Sequence, residues 1–180
     1  MDMRKLLTAA LTTAALSAAL PAAAQAAPAQ LLAPAGSCAG DSSATASAAT
    51  QVRAMRCLVA ATRARAGLHT LHPHRTLARA AHIKSERIQA CGSFSHTPCG
   101  APFSAAFNQA GWHGRASGEN IAFGQAAQGT PRAILTAWLA SPGHRANLLR
   151  PGYRYHGLNV RSATLPGAGT VRLWIHTFGA

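Results

Sequence analysis

Glu119 and His144 are the residues whose types and settings could do chemistry together. Glu119 is one of four acidic residues in 180 and lies in Gly118-Glu119-Asn120-Ile121-Ala122. His144 lies in Ser141-Pro142-Gly143-His144-Arg145-Ala146-Asn147-Leu148-Leu149. That second stretch reads as a helix start, with Ser141 as N-cap and Pro142 at the first helical position, where no amide hydrogen is required. His144 then falls in the first turn, beside the positive end of the helix dipole, and should resist protonation. A neutral imidazole is the form that ligates metal or accepts a proton. A scarce acid and a neutral histidine, each in an ordered motif, point to a site.

The elements that must position these residues follow from periodicity. Val52, Met55, Val59 and Thr62 recur at helical spacing up to Gly67. Leu77, Ala80, Ala81, Lys84 and Ile88 repeat that period within a helix over Thr76 to Ala90. A short helix is predicted for Phe103 to Ala110, closed by Gly111, and another opens at Thr130-Pro131 with Ile134, Leu135, Ala137 and Trp138 on its apolar face. Ile121 to Phe123, Tyr155 to Arg161 and Val171 to Phe178 read as strands, and the Leu165-Pro166-Gly167-Ala168-Gly169 loop should join the last two as an antiparallel hairpin. Helices followed by a hairpin-rich end predict an α+β domain, with helices covering an antiparallel sheet.

Met1 to Ala26 has the form of a secretory signal: Arg4 and Lys5, an apolar stretch Leu6 to Leu20, then Ala24-Gln25-Ala26 as a small-x-small cleavage site. Residues 27–50, rich in alanine, serine and proline without apolar periodicity, read as a flexible arm ordered only near Cys38. The remaining 51–180 is the size of one domain. Four cysteines, Cys38, Cys57, Cys91 and Cys99, in an exported chain argue for two disulfides, although sequence permits three pairings. Cys91 and Cys99 bracket a short loop holding His96 and are the favoured pair, which leaves Cys38 to tie the arm to Cys57. A Cys/His zinc site is the alternative, and it lacks a close Cys-x-x-Cys pair.

The formal charge is +13. Removal of Asp2, Arg4 and Lys5 with the signal lowers it by one. Such a surface should attract anionic polymers. The arginines are scattered singly, however, and no nucleic-acid motif occurs, which argues against specific nucleic-acid recognition.

The two motifs, together with Arg63 to Leu68, Phe94-Ser95-His96, Ala110-Gly111-Trp112, Trp138 and the closing Trp174 to Gly179, resemble the bacterial branch of the CAP superfamily (cysteine-rich secretory proteins, antigen 5, pathogenesis-related 1; the SCP domain). The resemblance implies a three-layer α-β-α sandwich with a central antiparallel sheet. It also implies a cleft in which two histidines, here His96 and His144, can hold a divalent metal such as zinc, beside Glu119. A second glutamate belongs after the tryptophan of the preceding helix, but this chain reads Trp138-Leu139-Ala140-Ser141. Thr177 and Ala106 replace an aspartate and an arginine common in the branch. Asn120 and Ser141 are expected to support the cleft, and His176, where glutamine is frequent, to line it.

Glu119 could complete a three-ligand site with a water position, orient one imidazole from behind, or satisfy backbone amides. The expectation that follows is a secreted binding or interaction module for lipid, peptide or cell-wall polymer. The alternatives are a metal-dependent hydrolase with Glu119 and His144 as catalytic groups, and an interaction protein that binds through its arginine-rich surface with a vestigial cleft. No serine stands in a nucleophile-elbow context.

Overall fold

The computed structural model describes residues 27–180, so the segment Met1 to Ala26, expected to be a secretory signal, lies outside the described residues. In chain order the elements are α1 Pro28–Leu31, α2 Ala48–Arg65, β1 His72–Pro73, α3 Arg75–Cys91, α4 Ala105–Ala110, β2 Ser117–Gly124, α5 Pro131–Ala140, α6 Pro142–Leu148, β3 Tyr155–Leu165 and β4 Gly169–Gly179. Single 3-10 turns cover Pro98–Gly100 and Ala126–Gly129.

The sheet has the order β1-β3-β4-β2. β3 and β4 form the expected hairpin, paired from Tyr155 opposite Gly179 to Leu165 opposite Gly169. β2 runs antiparallel to β4, with Glu119 opposite Thr177 and Asn120 opposite His176. Only the two-residue β1 is parallel, to β3, which departs from a wholly antiparallel sheet. Alternation along β4 divides the protein into layers. Val171, Leu173 and Ile175 pack with Ala81 and Ile88 of α3 and with Ile121 of β2. Trp174 and Phe178 face the other way, toward Met55, Leu58 and Val59 of α2 and Leu135, Trp138 and Leu139 of α5. The result is the α-β-α sandwich that the resemblance implies.

Helix ends follow local chemistry. Thr130 accepts a hydrogen bond from the Ala133 amide at 3.4 Å ahead of Pro131, and Gly92 and Gly111 close α3 and α4 with φ of 59° and 83°. Gly157 is required by packing, because a Cβ there would stand 2.1 Å from the Leu77 carbonyl carbon and the Ala78 nitrogen. That close approach sets α3 against β3.

Residues 27–50 are not a loose arm. Leu31, Ala33 and Cys38 belong to the core cluster beneath α2 and α5. Asp41 is buried and accepts from the Arg132 guanidinium at 2.6 and 3.1 Å, while the same guanidinium reaches the carbonyls of Ala33 and Pro34 at 2.9 and 2.7 Å. With the Cys38–Cys57 disulfide, these bonds make the segment a strap across the α2/α5 face. The second disulfide joins Cys91 to Cys99, so both favoured pairings are present.

Candidate functional site

β2 carries the site because its two faces serve different layers. Glu119 and Ile121 point toward α3, whereas Asn120 points toward α5 and α6. On the α3 side Lys84, which occupies a core position of its helix, brings Nζ to 3.4 Å from Glu119 Oε1, and both side chains are essentially unexposed. The Lys84 ammonium also donates to the His96 carbonyl at 2.5 Å. His96 Nδ1 lies 2.8 Å from the same Glu119 oxygen, with the imidazole 46% exposed and the carboxylate 0%. A buried carboxylate thus holds a buried ammonium and fixes one ring nitrogen of an outward-facing imidazole. This is the orienting geometry by which a carboxylate sets a histidine's tautomer and leaves Nε2 outermost. Glu119 Oε2 is buried without a hydrogen-bond partner among the described residues.

The other face of β2 fastens α6. Asn120 donates to the His144 carbonyl at 3.0 Å, and Asn147 donates to Asn120 Oδ1 at 2.9 Å and to the Glu119 carbonyl at 3.2 Å. Trp138 donates to the Ile121 carbonyl at 3.3 Å. Two carbonyls of this sheet-edge strand are thereby occupied by side chains rather than by a further strand. Gly118 is needed for the same junction, since a Cβ there would meet the Tyr153 hydroxyl at 2.2 Å and Asn147 Oδ1 at 3.1 Å. In Gly-Glu-Asn, then, glycine admits α6 and Tyr153, glutamate turns to His96, and asparagine fixes the backbone at His144.

His144 is half-buried in α6, and burial first, then the charge of His96, lowers its pKa below the usual imidazole value. The neutral state expected from the sequence is therefore supported, but by desolvation rather than by a helix dipole. Ser141 begins α6 without a side-chain cap bond; only its carbonyl accepts, from the Arg145 amide at 2.9 Å.

His176 does not line the cleft. It shares the Trp174 and Phe178 face of β4, is fully buried, and pairs with His156 through His156 Nδ1 and His176 Nε2 at 3.0 Å, its ring 4.0 Å from that of Phe178. Alternation forces this outcome: His176 is opposite Asn120, whereas Glu119 is opposite Thr177. His156, opposite Phe178 on the same face, is 3% exposed for the same reason.

The donor set is short for a catalytic metal. Among the described residues no three or more His, Cys, Asp or Glu side chains are grouped so as to hold an ion. Glu119 is enclosed beneath His96 and beside Lys84, so the three-ligand arrangement with a water position does not fit, and the exposed His96 and the half-buried His144 remain as the donors of the site. In the sequence Lys84 stands on the apolar stripe of α3, and that position carries a signal for its partner. A lysine at a core helical position signals a buried partner, and Glu119 was the scarce acid to supply it.

Fold and site together define a class. The model of the cysteine-rich secretory protein family (CAP) matches residues 56–164, and the chain belongs to that family. It is 36% identical over 103 residues, 56% of this chain and 38% of the relative's length, to the uncharacterized protein YkwD of Bacillus subtilis (strain 168). The chain therefore spans well under half of that relative. Similar solved structures include an outer surface protein from Borrelia burgdorferi, with TM-score 0.63 and 17% identity over 74% of this chain and 95% of that one. An extracellular SCP-domain protein from Bacillus anthracis aligns with TM-score 0.58 and 20% identity over 74% and 44% of the two chains. These structural likenesses bear on the fold.

Proposed function

We propose that this chain is an exported CAP-domain binding module. Its His96 and His144 imidazoles engage an extracellular ligand, and Glu119 and Lys84 act as positioning residues. One observation carries this reading: the single acid at the site has no solvent exposure and spends one oxygen on both Lys84 and His96. A carboxylate so enclosed orients an imidazole and is not placed to activate water. Export is supported by two disulfides, which persist in oxidising compartments, and by fold neighbours described as extracellular or outer-surface proteins. No helix among the described residues is long and apolar enough to cross a membrane.

The ligand class follows from charge. Asp41 and Glu119 are buried, which leaves Glu86 as the exposed acid of the described residues, on a chain of net charge +13. An anionic wall polymer or an acidic peptide fits such a surface better than a cationic ligand. Calorimetric titration of residues 27–180 with poly(glycerol phosphate) tests this. His96→Ala should weaken binding by about tenfold, roughly 1.4 kcal/mol, with the melting temperature unchanged. Equal binding by wild type and His96→Ala at every salt concentration would place the ligand elsewhere on the arginine-rich surface. A hydrolase reading draws on the His96 and His144 imidazoles alone, and peptide cleavage abolished by a chelator and by His144→Ala would establish it over the binding reading.

A further inference from the structure

A second recess lies away from the imidazoles, and its chemistry is different. At the end of β2 the chain passes through the 3-10 turn Ala126–Gly129 and packs closely on itself. A Cβ on Gly124 would fall 2.3 Å from the Gln128 carbonyl oxygen, and one on Gly129 would fall 2.6 Å from the Gly124 carbonyl oxygen. The Trp174 indole donates to the Gly129 carbonyl at 2.9 Å and anchors the turn to the sheet. The turn also holds Ala126, a non-glycine residue, at φ 43°, a left-handed backbone that costs energy and persists only where its surroundings impose it. The effect is to push Gln125 and Gln128 outward beside the β3–β4 hairpin.

There they border an open groove of about 420 Å³ together with Phe123, Gly167 and Ala168. Phe123 is 39% exposed and is buttressed by Phe94, 40% exposed, whose ring meets it edge-on with centroids 4.8 Å apart. Gln125 donates to the Ala168 carbonyl and is fixed by it. A smaller groove of about 170 Å³ continues past Gln125 to Ser162, Thr170 and Arg172. On a chain carrying +13, the larger groove has no ionisable side chain in its lining. It offers an aromatic face, two amides that both donate and accept, and hydroxyls beyond them.

We propose that this groove is a binding site for an uncharged oligosaccharide. A pyranose presents an apolar C–H face, which an exposed aromatic ring covers, and a rim of hydroxyls, which side-chain amides pair with in both senses. The larger groove could hold a sugar ring against Phe123, with the smaller one receiving its neighbour beside Ser162 and Thr170. An anionic polymer finds no cation in the larger groove and in the smaller one only Arg172, whose guanidinium donates to the Ala46 carbonyl at 3.1 Å, and a lipid tail gains little from glutamines. This site is independent of the imidazole cleft.

The test uses isotopically labelled protein (residues 27–180), with chitotetraose, cellotetraose and dextran sulfate as probes, followed by amide NMR shifts. At least one neutral tetrasaccharide should shift residues 123–128 and 162–170, with Kd on the order of 1 mM or tighter. Phe123→Ala and, separately, the surface change Gln128→Ala should each weaken it by about tenfold, while His96→Ala leaves it unchanged. Absence of shifts with both neutral sugars at several times that concentration overturns the proposal. So do shifts confined to the region of His96 and His144, binding only to dextran sulfate, or full affinity in a folded Gln128→Ala variant.

Discussion

Lys84 and Glu119 neutralise each other where neither can reach water, so each is tolerable only while the other is present. Replacing Lys84 with Met should cost about 3–5 kcal/mol, because it strands the carboxylate, and chemical denaturation would measure it. The double variant Lys84→Met/Glu119→Gln should recover part of that loss, since the uncompensated charge has gone. If the double variant is no more stable than Lys84→Met, the pair is not what holds β2 to α3. Glu119→Gln alone should also loosen His96, whose Nδ1 loses a charged acceptor at 2.8 Å. A changed tautomer ratio in imidazole ¹⁵N spectra would report that loss. Thr177 occupies the position across from Glu119 and donates to the Leu77 carbonyl at 2.8 Å. An aspartate there would add a second buried carboxylate beside the first, with Ala106 offering no cation. The two departures from the family's pattern noted in the sequence are consistent as a pair.

At the scale of elements, much of the scaffold was legible and part of the site was not. The 3.6-residue stripe gave α3 to within a residue at either end, and the apolar alternation of Val171 to Phe178 gave β4. Period-2 alternation fixes which residues share a face but not which layer covers it. For that reason His176 could be placed beside Trp174 and still be assigned to the wrong side of the sheet. Residues 27–50 look like a loose arm in sequence because alanine-rich composition conceals a few decisive contacts: Leu31 in the core, Asp41 to Arg132, Cys38 to Cys57. The disulfide elements differ in what they hold. Cys91–Cys99 spans 8 residues and frames the loop that carries both Phe94 and His96, whereas Cys38–Cys57 spans 19 and secures the strap. Chain-entropy reasoning assigns about 2.5 kcal/mol to the first and about 3 kcal/mol to the second. Cys91→Ser/Cys99→Ser should therefore reduce stability slightly less than Cys38→Ser/Cys57→Ser. It alone should weaken ligand binding at His96, which calorimetry on the two double variants would separate.

Across the whole molecule, the layer between α2 and the sheet is cationic, and among the described residues no acid pairs with its arginines. Arg63 is fully buried and donates to the carbonyls of Leu148 at 2.7 Å, Arg150 at 3.2 Å and His69 at 2.8 Å, which ties α2 to the end of α6. Burial, and then the charge of Arg154, lowers its pKa to about 10, so it remains charged at neutral pH. His156 and His176 lie in the same layer. Burial is the main cause that takes His156 down to about 4, helped by Arg56, Arg63 and His72, and burial with the neighbouring His156, Arg63 and Arg56 holds His176 well below the ordinary imidazole value. Both imidazoles are thus neutral in the folded protein and take up protons readily only when it unfolds. Stability should be fully present above the ordinary imidazole value of about 6.5 and fall as the pH drops from there toward 4, because the unfolded chain binds more protons across that window. His156 alone accounts for a loss on the order of 3 kcal/mol, and His176 adds to it. Urea titrations at pH 7.5, 5.5 and 4.5 would measure the slope, and His176→Gln should flatten it by keeping a polar partner for His156 while removing one titrating ring. A stability that is level from pH 7.5 to 4.5, or a slope unchanged by His176→Gln, would mean that the paired rings are hydrated and do not govern how the two helical layers stay closed on the sheet.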